Sequence, residues 1–417
     1  MWSTSGLRLA HVAAWLWSAT AVAMPLLASA AEQSNEGKFG IAFSGFVKTD
    51  VIFDSRQTVS LREGHFLLYP AAPSNDVTGE DVSEKANLNM MSIQTRVTAK
   101  LTAPEAFGAK PSGLIEAEFF GSSDADVNGF RLRHAFLSLQ WPKTGLMIGQ
   151  FWHPLFVTEV FPQVVSFNTG APFQPFSRNP QVRLTQALGS ARLIAAAASQ
   201  RDFTSPGPNG NSSTYLRNAV LPDLSLQLQY RRADNVYGAG IDFKILTPQI
   251  TTSQGYKTDE TVKSTAGIGY AKLKLGRATL GVEAVYGQNL SDHLMLGGYG
   301  VRSTDPATGK QSYIPTSSFS VWSDLYAGKR FQPGLFLGYA KNLGAGEIVS
   351  KVYVRNADID SAYRIAPRMA WQTGYTRLSV EIEYTAAAYG TTNERAKVVN
   401  TTTVGNLRML FAGFLFF

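Results

Sequence analysis

Lysine and arginine side chains stand inside segments in which apolar residues recur at intervals of two, and they fall on the polar side of that alternation. An arginine guanidinium presents a planar fork that binds two oxygens of a carboxylate or phosphate at once. A row of such groups along a wet surface would bind or steer small anions. The positive side chains that we expect to line such a surface or its narrowest part are Lys48, Arg96, Arg178, Arg183, Arg364, Arg368, Arg377 and Arg408.

Carboxylates occupy equivalent alternating positions in other segments. The expected acidic lining consists of Glu116, Glu118, Glu283, Glu381 and Glu383, with Glu159 in a loop. Acidic groups that face a row of arginines across water would create a transverse field, which orients dipolar solutes. Alternatively, these charges pair across adjacent strands and only keep the interior wet. The sequence leaves both interpretations open.

One short segment has a pattern that is typical of a metal site. Asp124, Asp126 and Asn128 precede Gly129 in the D-x-D-x-N-G order that opens a calcium loop. Ala135 stands where the loop requires a bidentate glutamate, so a tight turn rich in aspartate and asparagine explains the same residues. We therefore expect no metal here, with calcium at these three residues as the alternative.

Patterns that would support catalysis are sparse. His65, His134, His153 and His293 are scattered along the chain without metal-ligand spacing. A G-x-S-x-G nucleophile elbow is absent from the sequence. We expect neither an enzyme nor a cofactor. A phospholipase-like barrel that uses His134 and Ser138 is the alternative.

The charged side chains require elements with a period of two, and such alternation continues from Phe39 to the C-terminus. Charges in the middle of a strand are tolerated when one face lines water and the other faces lipid. We therefore predict an all-β transmembrane antiparallel β-barrel of about 16 strands. The strands are expected to begin near residues 39, 87, 113, 130, 146, 181, 191, 223, 237, 261, 278, 317, 334, 359, 376 and 400. In the second strand, the alternation places Met91, Ile93, Val97 and Leu101 together on the lipid face.

The connections alternate between short turns and long loops, which is typical of outer-membrane barrels. The first long loop is expected at residues 54–86. The third, residues 153–180, is unusual because it contains five Phe and five Pro. So apolar a segment would be costly in open water, and we predict that it folds into the lumen and narrows the pore. An outer lid and a subunit contact are the alternatives.

Both ends of the chain fit export to a membrane. Residues 1–30 contain a long apolar run that ends in Ala28-Ser29-Ala30, which predicts a cleaved signal peptide, with a membrane-anchoring helix as the alternative. Residues 31–417 would then form one barrel domain. The last strand ends in Phe417 with alternating apolar residues before it, like the signal that the bacterial barrel-assembly machinery reads. We expect it to pair with the first strand and remove both sheet edges.

Composition excludes several classes of protein. Charged residues make up 17% of the chain and Cys is absent, so disulfides contribute nothing to its stability. That charged fraction is below the roughly 25% of soluble domains. The net charge is +7, but basic clusters and basic helices are missing, so nucleic acid is not the expected partner. An interior that favours anions is the preferred explanation.

Three segments resemble a known family. The first strand contains Ser44-Gly45-Phe46-Val47-Lys48-Thr49-Asp50, which resembles the opening of Gram-negative trimeric porins. The segments Phe130–Phe136 and Gly149–Trp152 are similar to the dicarboxylate-porin (DcaP-like) subgroup. The chain differs from that subgroup in lacking a long helical N-terminal extension.

The resemblance implies a homotrimer of 16-stranded barrels in the outer membrane of a Gram-negative bacterium. Small solutes, often anionic, would diffuse through each barrel past an inward third loop. The expected partners are outer-membrane lipid, small anionic or polar solutes and, during biogenesis, the assembly machinery. The alternatives are an enzyme embedded in a barrel and a closed structural or adhesion barrel.

Overall fold

Residues 39–417 are described by the structure, which is a computed structural model. The predicted signal peptide at residues 1–30 lies outside these residues. Within the described range, no helix is long and apolar enough to cross a membrane. The helical elements are α1 (Thr214–Asn218) and three 3-10 turns at Val82–Glu84, Asp124–Asp126 and Ser291–His293.

Strands dominate the described chain. They are β1 (Gly40–Asp54), β2 (Thr58–Leu61), β3 (Phe66–Pro70), β4 (Asn87–Met91), β5 (Arg96–Thr102), β6 (Lys110–Glu118), β7 (Arg131–Gln140), β8 (Thr144–Trp152), β9 (Arg178–Leu188), β10 (Ala191–Ala198), β11 (Asp223–Arg232), β12 (Asn235–Leu246), β13 (Val262–Leu275), β14 (Ala278–Gln288), β15 (Gly297–Thr304), β16 (Gln311–Ala327), β17 (Phe331–Ala345), β18 (Lys351–Arg355), β19 (Ile359–Thr373), β20 (Thr376–Thr392) and β21 (Val398–Phe416).

The strands close into an antiparallel barrel of 16 staves, as predicted. β4 and β5 pair with successive parts of β1 and form one interrupted stave. β15 and β18 lie in two long connections and pair with each other, and β2 pairs with β3 in a separate hairpin. β21 runs beside β1, from Phe46 opposite Phe416 to Asp54 opposite Arg408. This closure leaves no free edge on the sheet.

The alternation of exposure separates an apolar outer face from a polar inner face. On β21, Met409 and Phe411 are 47% and 45% exposed, whereas Asn406 and Arg408 are fully buried. On β20, Val380 and Ile382 are exposed and Glu381 and Glu383 are buried. An outer surface of this kind suits the hydrocarbon of a bilayer, where every backbone group must be hydrogen-bonded within the sheet.

The second stave departs from the predicted alternation. Met91 and Ile93 are buried rather than lipid-facing, and Leu88 and Met90 are exposed instead. Residues 92–95 interrupt the strand between β4 and β5, so the parity changes there. An insertion of this kind moves every later side chain to the other face. The prediction for Met91 and Ile93 was wrong because the alternation was read straight through the interruption.

The largest cluster of buried apolar side chains joins two non-barrel segments to the inner face. One is the Phe-rich segment (residues 153–177), which contributes Leu155, Phe156 and Phe173. The other is the β2–β3 hairpin (Thr58–Pro70), which contributes Phe66 and Tyr69. Wall residues such as Trp322 and Phe336, whose sequence neighbours face outward, complete the cluster.

Candidate functional site at the inner face of the barrel

Carboxylates on β20 accept hydrogen bonds from the Phe-rich segment. Both oxygens of Glu381 are used, one by the backbone N–H of Val165 at 2.8 Å and the other by that of Ser166 at 3.0 Å. Two residues along the strand, Glu383 accepts from the side-chain amide of Asn168 at 2.8 Å. Together these three hydrogen bonds fix this part of the segment against β20.

Other strands hold the same segment. On β16, Asp324 accepts from the backbone N–H of Gln163 at 2.8 Å. Three side chains donate to carbonyls of the segment: Lys48 of β1 to Val165 at 3.0 Å, Arg364 of β19 to Ala171 at 2.9 Å, and Gln227 of β11 to Pro154 at 2.7 Å. The anchors therefore come from β1, β11, β16, β19 and β20. β19 and β20 are neighbours, whereas β11 lies about half-way around the strand order from β1.

Arginines hold the β2–β3 hairpin. Arg408 makes a bidentate pair with Asp54 at 2.9 and 2.7 Å and also donates to the carbonyl of Gly64 at 2.6 Å. The hydroxyl of Tyr389 donates to the carbonyl of Pro70 at 2.7 Å. The predicted outer loop at residues 54–86 thus contains a buried hairpin. Its signal was the apolar run Phe66–Tyr69, which is as unsuited to open water as the Phe-rich segment.

Arg364 touches both non-barrel segments. Besides Ala171, its guanidinium donates to the carbonyls of Leu67 and Leu68 at 3.2 and 3.3 Å. Glu383 lies 3.4 Å away and compensates the charge. Arg364 and Glu383 are both fully buried. Because one guanidinium supplies donors in several fixed directions, Arg364 can bridge the hairpin and the segment at once.

A second cluster brings together four of the predicted residues and two that were not predicted. Arg96 lies 2.8 Å from Glu118, and Arg133 lies 2.7 Å from Glu116 and also bonds Glu118. Arg178 is 3.7 Å from Glu118 and 2.8 Å from Asp202. Here the charges pair across adjacent strands, as one interpretation of the sequence proposed. Arg133 follows the same two-residue spacing on β7, and that spacing could have identified it.

The loop carboxylate of this cluster has a perturbed pKa. Burial alone would raise the pKa of Asp202, but the guanidiniums of Arg178 and Arg131 outweigh burial and hold it below its ordinary value. Arg131 lies 3.2 Å from Asp202. Asp202 therefore remains ionised near neutral pH and keeps both arginines compensated.

The remaining predicted charges lie in different surroundings. Arg368 makes a bidentate pair with Asp324 at 2.7 and 2.9 Å. Glu159, in the Phe-rich segment, pairs with Arg192 and lies 3.0 Å from Arg231.

Two predicted arginines are bonded to neutral groups. Arg183 donates to the carbonyl of Trp152 at 2.6 Å, and Arg377 donates to the side chain of Gln372 at 3.0 and 2.8 Å. Within residues 39–417, neither of these guanidiniums has a carboxylate oxygen within 4.0 Å. Their charges are therefore the least compensated of the predicted set.

The Phe-rich segment contributes to two cavities, and Thr158, Phe161 and Gln163 line both. The larger has a volume of about 670 Å³, and its charged lining consists of Arg96, Arg133, Arg368, Arg377 and Glu116. The smaller has a volume of about 480 Å³, and its charged lining consists of Glu159, Asp234, Asp324, Arg231, Lys272 and Lys274. The larger cavity is thus rich in arginine, and the smaller one is balanced.

The calcium candidate and the C-terminal residue lie away from these cavities. Asp124 and Asp126 lie in an exposed 3-10 turn, and Asn128 follows it, also exposed. One oxygen of Asp124 accepts from the backbone N–H of Glu63 at 3.3 Å. Phe417 is exposed, and its backbone pairs with Gly45 of β1 at 3.0 and 3.2 Å.

Comparison with known proteins places the fold. No family model and no curated protein matches the chain. The outer-membrane channel DcaP of Acinetobacter baumannii superposes with a TM-score of 0.68 at 14% identity, over 92% of this chain and 99% of that one. The anion-selective porin from Comamonas acidovorans gives a TM-score of 0.53 at 11% identity, over 91% and 100%.

The outer-membrane protein OmpT of Vibrio cholerae gives a TM-score of 0.53 at 11% identity, over 92% of this chain and 100% of that one. At these identities the likeness shows the fold. The barrel architecture implied by the resemblance to trimeric porins is confirmed.

Proposed function

We propose that the protein is a passive channel of the Gram-negative outer membrane, through which small hydrophilic solutes diffuse. The observation that carries this proposal is the pair of charged cavities inside a closed barrel with an apolar outer face. A barrel of about 16 strands is wide enough for an aqueous passage. The folds of DcaP and of the Comamonas porin support the same function.

The Phe-rich segment is the proposed constriction. It would cross the lumen and divide the passage into the two cavities that share Thr158, Phe161 and Gln163. Hydrogen bonds to strands on several sides of the barrel support this position. A segment held from several sides would set the size limit for solutes.

Anions, in particular small carboxylates, are the proposed preferred solutes. The larger cavity is lined by four arginines and one glutamate, so its potential is positive. Arg377 is the arginine there with a neutral partner, and its guanidinium has donors free to meet a carboxylate. The two acid-paired clusters nearby would contribute mainly to structure.

Several further expectations belong to the same proposal. The chain would carry a cleaved signal peptide, fold with the help of the barrel-assembly machinery through its Phe417 end, and form a homotrimer. It would have no enzymatic activity and need no cofactor. Chemical crosslinking in outer-membrane vesicles, followed by electrophoresis of unboiled samples, should show a trimer band, and a monomer alone would contradict the trimer.

A closed structural barrel is the second candidate, and one observation favours it. The hairpin and the Phe-rich segment leave Lys48, Glu118, Arg364 and Arg408 with at most 1% exposure, although all four lie on the inner face. If these segments never move, little of the inner wall is available to a solute.

Solute entry into proteoliposomes separates the two candidates. Purified protein would be reconstituted, and uptake of a four-carbon dicarboxylate, a neutral sugar and a diamine of matched length would be followed. The channel proposal predicts non-saturable uptake that is fastest for the dicarboxylate. Uptake no faster than in empty liposomes for all three solutes would favour the closed barrel.

A further inference from the structure

Four metal-type side chains meet at the base of the Phe-rich segment. His153 follows β8, Asp223 opens β11, Asp242 lies on β12 and His293 ends the 3-10 turn after β14. Donor atoms of His153, Asp223 and His293 all lie within 4.8 Å of one another. Nε2 of His153 is 3.7 Å from an oxygen of Asp223 and 3.7 Å from one of Asp242. The two imidazole centroids are 4.6 Å apart.

The polar atoms of this group are buried without hydrogen-bond partners. Asp223, His153 and His293 are fully buried, and Asp242 is 5% exposed. Both oxygens of Asp223, one of Asp242, both ring nitrogens of His293 and Nε2 of His153 lack a partner. Buried polar groups are normally hydrogen-bonded, and a buried carboxylate without a partner is strongly destabilising. So many unpartnered donor atoms at one place indicate a missing ligand.

The charges around the group define that ligand. Lys244 is the neighbouring cation, but it pairs with Asp292 and donates to the carbonyl of Asn289 at 2.8 Å. Within residues 39–417, His153 is the one ion-pair partner that Asp223 and Asp242 have within 4.0 Å, and a neutral imidazole does not balance their charge. A single divalent cation would balance these two negative charges.

We propose that His153, Asp223, Asp242 and His293 bind one zinc-type divalent cation. Two imidazole nitrogens and two carboxylate oxygens form a four-ligand set of the kind that Zn²⁺ takes in closed structural sites. Calcium and magnesium prefer more oxygen ligands, and imidazole suits first-row transition metals. A tetrahedral site with metal–ligand bonds near 2.1 Å places its donor atoms about 3.4 Å apart. The donor atoms of His153, Asp223 and His293 lie within 4.8 Å of one another and would move closer around the ion, and Asp242, 3.7 Å from His153, would turn toward it as the fourth ligand.

Binding also changes one local contact. The backbone N–H of Leu155 lies 3.3 Å from Nδ1 of His153. Coordination through Nε2 requires the neutral ring to carry its proton on Nδ1, so this long contact opens when the ion binds. Nδ1–H of His153 can then donate a hydrogen bond, as the second ring nitrogen does in other metal-bound imidazoles.

The ion would secure both ends of the Phe-rich segment. The backbone N–H of His153 donates to the carbonyl of Ser177 at 2.9 Å, and that of Phe176 donates to the carbonyl of His293 at 3.0 Å. A metal bound by His153 and His293 would hold both ends of the Phe-rich segment to β11 and β12, because Asp223 and Asp242 lie on those strands. The site has no open coordination position, so its role is structural and independent of whether the barrel conducts.

Metal binding to the folded barrel tests this assignment. Protein in detergent would be stripped with a chelator, confirmed as folded by its heat-modifiable mobility, and titrated with Zn²⁺ by calorimetry and elemental analysis. The expected result is one zinc per chain for the wild type, lost in Asp223→Asn and in His293→Gln. His134→Gln is the matched control, because His134 is also buried beside a carboxylate, Glu116, and should keep the stoichiometry.

Cobalt provides a measurement on the wild type in case a variant fails to fold. Co²⁺ in the stripped protein should give the intense visible bands of a tetrahedral nitrogen and oxygen site, and Zn²⁺ should displace them. No stoichiometric metal uptake by the wild type, or equal uptake by His293→Gln, would overturn the proposal. If the four side chains hold only water and a shared proton, the wild type would take up no stoichiometric metal.

Discussion

The Phe-rich segment and the β2–β3 hairpin are both apolar and both buried, but the wall holds them with different groups. Carboxylates and cations together hold the segment, whereas arginines and Tyr389 hold the hairpin. The segment donates backbone N–H groups to Glu381 and Asp324. The hairpin offers its carbonyls to Arg364 and Arg408. Irregular backbone needs partners for both its donors and its acceptors. The charged inner wall supplies both kinds to the segment, but mainly donors to the hairpin.

This difference indicates that most of the inner arginines have a structural role. A carboxylate pairs with each of Arg364, Arg368 and Arg408. Arg364 and Arg408 also donate hydrogen bonds to backbone carbonyls outside the barrel strands. Their main effect is to position the segments. Under the proposed channel function, ion selectivity would depend on the few side chains that face a cavity with a neutral partner, with Arg377 as the foremost example.

Replacing Arg364 should have the largest effect, because it joins the two segments. Arg364→Met leaves Glu383 buried without its cation and removes donors from Ala171, Leu67 and Leu68. We expect a loss of about 3–5 kcal/mol in the free energy of unfolding, measured by denaturant titration in detergent. Arg377→Met is the matched control and should change this free energy little. Equal stability of the two variants would contradict the bridging role.

Glu381→Gln should loosen the Phe-rich segment and leave the hairpin intact. An amide has one acceptor oxygen, so one of the N–H groups of Val165 and Ser166 loses its partner. The expected cost is about 1–3 kcal/mol. Hydrogen exchange should accelerate at Val165 and Ser166, with unchanged exchange at Leu67 and Leu68. Faster exchange in both places would show that the two segments are not held independently.

Acid should loosen the hairpin in preference to the segment. Burial lowers the pKa of the His65 imidazole, although Asp50 at 2.9 Å favours its charged form; Lys48 and Arg408 also disfavour the charge. A released hairpin would bind a proton near pH 6.5, while the buried one would not. The hairpin's stability is therefore complete above pH 6.5 and decreases as the pH falls below it.

Hydrogen exchange of the hairpin at pH 7 and pH 5, corrected for intrinsic rates, measures this effect. Protection should decrease at pH 5 in the wild type, and His65→Gln should remove that dependence. Protection that increases on acidification would show that the ion pair with Asp50 outweighs burial.

Tyr389→Phe tests the anchoring of the hairpin as Glu381→Gln tests that of the segment, and its expected loss of stability is smaller. It removes the hydrogen bond to the carbonyl of Pro70 and keeps the ring. We expect a loss of about 0.5–1.5 kcal/mol, with faster exchange in the hairpin alone. Changed exchange at Val165 would argue against separate anchoring.

Arg377→Ala should change selectivity and leave stability nearly constant. Its guanidinium lines the larger cavity and hydrogen-bonds Gln372, so its loss removes one positive charge from the passage. The reversal potential in a KCl gradient should move toward cations by a few millivolts. Arg408→Ala, with its Asp54 partner buried, is expected to act through stability instead. An unchanged reversal potential in Arg377→Ala would show that Arg377 does not contribute to ion selectivity.

The strands and their order were predictable because alternation is a local signal. The break at residues 92–95 was not, since an extra residue changes the parity of Met91 without changing composition. The ion pair of Arg368 with Asp324 joins strands that are separated by β17, and that of Arg408 with Asp54 joins the first strand to the last. Both depend on strand register, which alternation does not specify. The meeting of His153 with His293 depends on how two loops fold, so these histidines appeared scattered in sequence.

The burial of the β2–β3 hairpin was not predicted from the sequence. Residues 66–69 are as apolar as parts of the Phe-rich segment, yet the surrounding Gly, Ser and Asn residues predicted an ordinary outer loop. The physical criterion that predicted an inward position for one segment applied to the other as well. Apolar runs inside long loops of such barrels are therefore worth separate inspection.

Single-channel recording in a planar bilayer tests the central claim most directly. Purified, folded protein should insert with stepwise increases of conductance, and Glu381→Gln should give larger or noisier steps because the constriction is loosened. Folded protein that gives no stepwise conductance, in the wild type and in Glu381→Gln alike, would contradict the channel and favour a closed barrel.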